Sequence, residues 1–310
     1  MLGLFENPLN VKVLRAHVEG PLRLAELQEL VAWSAEATVR GSIKNLQECG
    51  GLVKQPAEGK SNAVATALGP AGKDLLVVAD VLEGWLSECP AKSIDLGGGH
   101  AAVAVKALAG GWSSSLIRAL ATSPLTLTEL SEQIPEISYP ALERRIGWMR
   151  TTGQLDALPK QPRGTPYVPT RWLRRAITPL AMAMRCERRH MDDNPPITDV
   201  EAEAAFLLSL PMAPLPAGRR GDCTLAVQTD ATEFDEGRPL AGVNIELQAD
   251  GSTSWSVGLM AKPQTWAVGT AEDWLNAMLD GRFETLRIGG ADPQFAADVI
   301  NAMRYAVFIN

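Results

Sequence analysis

Apolar positions in the middle of the chain recur at the spacing of an amphipathic helix. Leu142, Ile146 and Met149 stand at i, i+4 and i+7, which places them on one side of a helix. Ser138, before this stripe, is a suitable N-cap, and Gly153, after it, suits a helix C-terminus. The pattern therefore predicts one helix between them.

The same pattern occurs 103 residues earlier. PLRLAEL at 21–27 recurs as PLTLTEL at 124–130, and Val39, Ile43 and Leu46 align with the apolar stripe described above. No gap is needed over about forty residues. Self-similarity at a fixed offset indicates a duplicated structural unit.

Each copy predicts three helices, a β-rich hairpin and a closing helix. The third helix of the first copy is expected to start at Ser34. The hairpin turns are expected at Gly59 and Gly164, and the closing helices at 70–87 and 171–190. Helix, helix–turn–helix and a two-stranded wing together make a winged helix.

Four short motifs follow one another in the second copy, and the first copy carries a fifth that would close such a unit. Residues 107–155 contain Gly-x-Trp, a Glu-Leu helix, Ile-Ser-x-x-x-Leu-x-x-Arg and Gly-x-Leu, and residues 67–86 (ALGPAGKDLLVVADVLEGWL) carry a matching closing segment. This order resembles the HxlR-type (MarR-like) bacterial regulators. The resemblance implies winged-helix domains at 1–92 and 100–190 that bind double-stranded DNA. Single-copy members pair as homodimers, so a duplicated chain is expected to form either a pseudo-dimer or a homodimer.

Charge is distributed unevenly along the chain. The net charge is −7, yet residues 143–190 hold 11 basic and 3 acidic side chains, and residues 191–310 hold 7 and 18. A recognition helix needs hydrogen-bond donors on its exposed face, and a wing needs cations for phosphates. The predicted DNA-contacting residues are Tyr139, Arg144, Arg145, Arg150, Lys160 and Arg163 in the second copy, and Arg40 and Lys44 in the nearly neutral first copy. For any single arginine, a solvated helix face is the simpler interpretation.

The last third of the chain changes from helical to alternating periodicity. VNIELQ alternates apolar and polar residues, Asp250–Gly251 is a hairpin turn, and SWSVGLM returns as a strand. A helix is expected from Thr270 to Gly281, and a last helix begins at Pro293. The segment therefore predicts a small α/β domain at 198–310, after a proline- and acid-rich linker at 191–199.

Asp273–Trp274–Leu275, Gly281 and the IGGADP segment resemble the sterol-carrier-protein-2-like domain. The resemblance implies a sheet packed against helices, often around an apolar cavity for a small hydrophobic or aromatic ligand. The candidate lining residues are Trp255, Trp266, Trp274, Met278, Phe206 and Phe283, with Trp255 and Trp266 as the best pair. The alternative is that each of them belongs to the core.

Several classes of protein are disfavoured by composition. No apolar run is long enough to cross a bilayer, and the N-terminal segment lacks the pattern of a secretory signal. The four cysteines are far apart, without a CxxC pair, so reduced thiols and a cytoplasmic location are expected. The overall fold class is α+β.

The sequence gives little support for an enzymatic function. SIDLGGGHAAVAVKALAGG resembles the glycine-rich motif of S-adenosylmethionine methyltransferases, but no acidic residue follows at the required distance and no room remains for the sheet. A flexible linker fits this segment better. The three histidines lack metal-ligand spacing, and no catalytic or phosphate-binding motif is present, so neither an enzyme nor a cofactor is expected.

Two functions remain open. The first is a DNA-binding transcriptional regulator whose operator affinity changes with a small hydrophobic or aromatic ligand, which must bind the two states unequally. The second is a small-molecule binding or self-resistance protein that uses a degenerate tandem winged-helix scaffold. The near-neutral first copy favours the second hypothesis, and the basic block at 143–190 favours the first.

Overall fold

The protein combines helices with small hairpins and one larger mixed sheet, so its fold class is α+β as the sequence predicts. The computed structural model describes residues 1–31, 35–56, 64–109, 113–191, 197–215, 219–229, 240–248 and 250–309. Contacts divide the chain into two compact units. One comprises Met1–Gly110 and Met182–Asn194, and the other Gly111–Ala181 and Pro195–Asn310.

The first unit is mainly helical. Its elements are α1 (Pro8–Ala16), α2 (Leu24–Leu30), α3 (Glu36–Glu48), β1 (Leu52–Pro56), β2 (Val64–Leu68), α4 (Pro70–Ser87) and α5 (Gly99–Ala109). The two strands pair antiparallel, with Leu52 opposite Leu68. Leu14, Leu27 and Leu46, one from each of the first three helices, are fully buried in its core.

The second unit begins with the same succession of elements. They are α6 (Ser113–Thr122), α7 (Leu127–Gln133), α8 (Tyr139–Thr151), β3 (Leu155–Ala157), β4 (Tyr167–Pro169) and α9 (Arg171–Arg175), followed by α10 (Ile177–His190), which continues into the first unit from residue 182. The apolar stripe of α8 (Leu142, Ile146 and Met149) is buried, as its spacing predicts.

The duplication predicted from sequence is present in the backbone. The bounds of α7 and α8 are those of α2 and α3 shifted by 103 residues. In the hairpins the shift becomes 101, because Leu52 faces Leu68 whereas Leu155 faces Pro169. The second hairpin is thus two residues shorter. The closing helices keep the shift of 101, since they begin at Pro70 and Arg171.

Both third helices end in the same way. Gly50 and Gly153 follow them with φ of 70° and 77°, a left-handed conformation that glycine adopts without a steric penalty. The next amide then bonds back to the helix: the N–H of Gly51 donates to the carbonyl of Leu46, and that of Gln154 to Met149, each at 2.7 Å. The helix end predicted at Gly153 is confirmed, and α3 ends in the same way at Gly50.

The rest of the second unit is a sheet covered by helices. Its elements are α11 (Asp199–Ser209), β5 (Gly221–Gln228), β6 (Leu240–Leu247), β7 (Thr253–Val257), β8 (Thr265–Gly269), α12 (Ala271–Leu275), β9 (Arg287–Gly290) and α13 (Pro293–Arg304). The strand order is β7-β6-β5-β8-β9; β5 and β8 are parallel and the other pairs antiparallel.

The sheet has one apolar and one polar face. Leu225 pairs with Val243 and Ala267, and these buried side chains join Phe206 of α11 and Val299 of α13 in one core. The residues one step along the strands point the opposite way. The connection from β7 to β8 crosses this outer face, which is therefore partly covered.

Several sequence-based expectations are wrong in detail. The segment interpreted as a flexible linker contains α5, whose face of Ala104, Val105 and Leu108 is buried. The third helix of the first copy begins at Glu36 with Ala35 as N-cap, not at Ser34; Ser34 and Gly59 lie outside the described residues.

Other differences concern the closing helix and two missed elements. Ser138 is the N-cap residue of α8, but its side chain makes no capping hydrogen bond. The expected helix at 171–190 is interrupted at Ala176, because Pro179 is tolerated only in the first turn of a new helix. The structure also contains two elements, α11 and β8, that the sequence pattern did not predict. Thr198 and Glu201 form a capping box at the start of α11, a signal that the sequence contained.

Candidate nucleic-acid interface

The exposed face of α8 carries several of the predicted DNA-contacting residues. Tyr139, Arg144 and Arg150 are exposed, and Gly147 lies between the two arginines with open space around its Cα. This face is opposite the buried apolar stripe of α8, so the helix is held by its core side. The result is a cationic surface on a rigid element.

Arg144 is positioned by an aromatic side chain. Its guanidinium lies 5.8 Å from the ring centroid of Trp148, one turn further along α8. Such a contact orients the guanidinium and leaves its N–H groups available. In the part of the chain that the structure describes, Arg144 forms no ion pair. It is the best-placed cation of the helix for an external anion.

Arg145, its neighbour, points the other way. Its guanidinium donates a hydrogen bond to the hydroxyl of Ser113, a buried residue at the start of α6. One step along a helix turns the side chain by about 100°, which moves Arg145 toward the buried stripe. Arg145 is half-buried and joins two helices, so its side chain is directed away from the exposed face that carries Arg144.

Arg150 connects α8 to the hairpin. Its guanidinium lies 5.6 Å from the ring centroid of Tyr167, a buried residue of β4. Tyr167 is itself bridged to Leu125 by two backbone hydrogen bonds of 2.9 and 3.3 Å. The hairpin is thus fixed to the connection between α6 and α7, so the cations on α8 and on the hairpin share one framework.

The hairpin turn presents two further cations. Lys160 and Arg163 are both exposed, and Gln161 and Gly164 exchange backbone hydrogen bonds that close the turn. Gly164 has φ of 118°, which explains the glycine at the predicted turn. The pKa of Glu129 is lowered, mainly by the Thr126 amide and hydroxyl and also by Arg163.

The corresponding cations of the first unit are neutralised. Arg40 lies 2.6 Å from Glu36, and Lys44 lies 3.7 Å from Glu48, each pair along α3. Both residues are exposed, as predicted, but each has a carboxylate partner on its own helix. The two copies therefore differ as the sequence suggests: the exposed cations of α3 have carboxylate partners, whereas Arg144 of α8 has none among the described residues.

Some arginines of α9 and α10 make contacts that stabilise the fold. Arg174 donates to the carbonyl of Leu207 at 2.9 Å, and burial lowers its pKa. In the first unit, Arg189 and His190 both contact Asp74, at 3.5 and 2.8 Å. These residues are engaged inside their own units and add little to an outward cationic surface.

Three of the six predicted ligand-lining residues are core residues. Phe206, Trp274 and Met278 are all buried, and the rings of Phe206 and Trp274 meet edge to face with centroids 4.9 Å apart. The indole N–H of Trp274 donates to the carbonyl of Ala226 at 2.8 Å. Phe283 is half-buried against the same core. The alternative interpretation, that these side chains pack the core, is correct.

Trp255 and Trp266 lie on opposite faces of the sheet. Trp255 pairs with Ile245 on the apolar face, whereas Trp266 pairs with Thr224 and Gly289 on the outer face. The Trp266 ring covers Gly289 so closely that a Cβ there would have no room. The two tryptophans therefore do not form one ligand site.

Two clefts lie among the described residues of the second unit, and Trp255, one of the predicted ligand-lining residues, is among the residues that line the larger of the two. One, of about 860 Å³, lies on the outer face of the sheet beside Met260 and Gln264 of the β7–β8 connection. The backbone N–H groups of these two residues bond to Asn244 and Asp222, at 3.2 and 3.0 Å. A second, of about 340 Å³, involves α6, α7, α11 and β7. Both are formed by residues that are distant in sequence, so no local motif indicated them.

The four cysteines are unpaired and buried. Burial raises the pKa of Cys186 to about 11 and that of Cys223 to about 12, so both thiols are protonated at neutral pH and poorly reactive.

A comparison with protein-family models gives no match, and neither does a comparison with curated proteins. Within the described ranges, no three His, Cys, Asp or Glu side chains come together as a metal site. None of the described helices is long and apolar enough to cross a membrane.

Proposed function

We propose that this protein is a DNA-binding transcriptional regulator with two winged-helix units and a C-terminal domain like sterol carrier protein 2. The observation that carries the proposal is the repeated order of three helices, hairpin and closing helix, with exposed cations on the second copy. Arg144 on α8 and Lys160 and Arg163 on the hairpin all belong to that copy.

The rigidity of this surface supports the proposal. A helix that enters the major groove needs exposed donors, and a wing needs cations that reach phosphates. The Arg150–Tyr167 contact and the Leu125 bridge join α8 to the hairpin, so both groups of cations keep a fixed relation. The second copy supplies most of the phosphate contacts, and the first copy, with Arg40 and Lys44 paired, contributes weakly.

The layered arrangement of the C-terminal part supports the proposed domain. A mixed sheet covered on one face by α11 and α13 is the arrangement that the resemblance implies. A ligand in this part of the chain would regulate DNA binding only by binding the two states unequally. Phe206, Trp274 and Met278 are buried in the core of this part of the chain.

DNA binding is tested by fluorescence anisotropy of the full chain with the DNA upstream of its own gene. We expect Arg144→Gln to weaken binding about tenfold, since a good contact to a base or phosphate contributes about 1–3 kcal/mol. Arg40→Gln is the matched control on α3 and should change affinity less than twofold. Absence of wild-type binding at low salt would refute the proposal.

A second candidate function is small-molecule binding by a scaffold that has lost DNA recognition. The neutralised cations of α3 favour it, as does the cleft of about 860 Å³ on the outer face of the sheet. In that case the protein binds planar or apolar compounds, read by tryptophan quenching, and fails to bind DNA at any salt concentration. The anisotropy experiment therefore separates the two candidates.

A further inference from the structure

The smaller cleft of the second unit joins charged, polar and apolar groups in about 340 Å³. This volume is at the low end of ligand sites, which suits a small metabolite. Its walls come from α6, from the end of α7, from the start of α11 and from β7. The lining residues used below are Arg118, Ser115, Glu136, Ile134, Val200 and Val257.

Arg118 is the cation of this cleft and is fixed from behind. Its Nε lies 2.5 Å from a carboxylate oxygen of Glu203 on α11. The Glu203 side chain is only 7% exposed, whereas that of Arg118 is 39% exposed. Among the described residues, no other ion pair or hydrogen bond of this guanidinium occurs. Its terminal N–H groups are thus oriented and available, a geometry that suits a planar carboxylate.

Glu136 supplies the opposite charge. It lies on the connection after α7, is exposed and lines the same cleft. In the described part of the chain it forms neither an ion pair nor a hydrogen bond. A ligand with only a carboxylate would leave Glu136 without a cationic partner, beside an arginine that is already paired with Glu203. A ligand that also carries an ammonium group balances this arrangement.

The remaining wall is apolar. Ile134 is buried, and Val200 and Val257 are half-buried, so a short aliphatic group could be removed from water against them. The hydroxyl of Ser115 adds one donor or acceptor near Arg118 on α6.

We propose that this cleft binds a free amino acid with a short apolar side chain. The ligand carboxylate pairs with the terminal N–H groups of Arg118, its ammonium group pairs with Glu136, and its side chain packs against Ile134, Val200 and Val257. Binding is non-covalent, and the ligand is not changed chemically.

Occupancy of the cleft has a physical route to the DNA-binding surface. Arg118 and Ser113 lie on the same helix, α6, and Ser113 holds Arg145 of α8 by a hydrogen bond. The ligand would therefore contact the helix that positions α8. This regulatory consequence rests on the proposed function, whereas ligand binding itself does not.

Isothermal titration calorimetry of the full chain with L-valine, isovalerate and isobutylamine tests the site directly. Isovalerate lacks the ammonium group of valine, and isobutylamine lacks the carboxylate. We expect valine to bind at least tenfold more tightly than either analogue. No heat from valine at millimolar concentration, or equal affinity for isovalerate, would overturn the proposal.

Variants assign the two charges. Because Arg118→Gln alone would leave Glu203 buried without its partner, the double variant Arg118→Gln/Glu203→Gln is tested too, and both should lose valine binding at least tenfold. Glu136→Gln should reduce valine affinity to that of isovalerate. Arg220 lines the cleft of about 860 Å³, so Arg220→Gln is the control and should bind valine like the wild type. Unchanged binding by the double variant would overturn the assignment.

The DNA measurement separates this inference from the proposed function. Valine binding without any DNA binding would refute only the regulator. DNA binding by a protein that shows no valine heat would refute only the amino-acid site.

Discussion

Replacing Trp274 with phenylalanine tests whether the aromatic side chains of the C-terminal part form its core. Trp274 is 6% exposed, meets Phe206 edge to face and donates its indole N–H to the carbonyl of Ala226. A phenylalanine keeps a ring at this position but removes the donor and about a third of the ring system. The change therefore isolates one hydrogen bond and a small loss of packing.

The expected loss of stability follows from these two contributions. The hydrogen bond is worth about 1 kcal/mol. The larger indole buries roughly 50 Å² more than a phenyl ring, which at about 25 cal/mol per Å² adds about 1 kcal/mol. The free energy of unfolding of the second unit should thus fall by about 2 kcal/mol. For a unit of this size, Tm should fall by about 4–8 °C.

Thermal unfolding followed by circular dichroism measures this loss. Trp255→Phe is the matched control, because Trp255 is only half-buried at the edge strand β7, and its Tm shift should be less than half as large. A shift below about 2 °C for Trp274→Phe, or one no larger than that of the control, would refute its place in the core.

Three further predictions concern the two repeated units. Gly153→Ala should cost about 1 kcal/mol in urea unfolding because φ is 77°, whereas Gly84→Ala, on an exposed helix position, should be neutral or stabilising; equal effects would contradict the left-handed helix end. Burial lowers the pKa of His17, so folding disfavours its protonated form, and the stability of the first unit should decrease as pH falls below the unfolded pKa of about 6.5. Tm measured from pH 7.5 to 5 checks this, with His17→Gln losing the dependence and His100→Gln keeping it. Arg145→Met should lower the free energy of unfolding by about 1–2 kcal/mol and leave the salt dependence of DNA binding unchanged. A weaker salt dependence in this variant would instead indicate that Arg145 contacts a DNA phosphate.

The sequence predicted those helix bounds and helix ends that are determined by residues close together in the chain. Pro70 at the first helical position and a long apolar periodicity gave the bounds of α4, and the glycines after α3 and α8 marked their ends. The duplication also followed from sequence, since an offset of 103 needs no knowledge of packing. These features are determined by residues within a few turns of one another.

The candidate sites depended on pairings that no local pattern encodes. Without β8, the register that places Trp255 and Trp266 on opposite faces could not be derived. The inward direction of Arg145 depends on Ser113, more than thirty residues away. The cleft around Arg118 likewise needs α11, which the sequence interpretation omitted although Thr198 and Glu201 formed a recognisable capping box.

The helix mistaken for a linker has a different cause. The glycines at 97–99 suggested flexibility, but the ten residues that follow are rich in alanine and place Ala101, Ala104, Val105 and Leu108 at helical spacing. These side chains are buried in the first unit, so tertiary packing stabilises a helix where the preceding glycines indicated a break.

The salt dependence of DNA binding tests the central claim most directly. Each phosphate contact contributes a slope of about −0.9 in log K against log salt concentration. If α8 and its hairpin are the reading surface, the variant Arg144→Gln/Lys160→Gln/Arg163→Gln should bind with a slope smaller in magnitude by about 2–3 than that of the wild type. The control Arg40→Gln/Lys44→Gln on α3 should keep a slope within about 0.5 of the wild type. Equal slopes for the triple variant and the wild type would contradict the account.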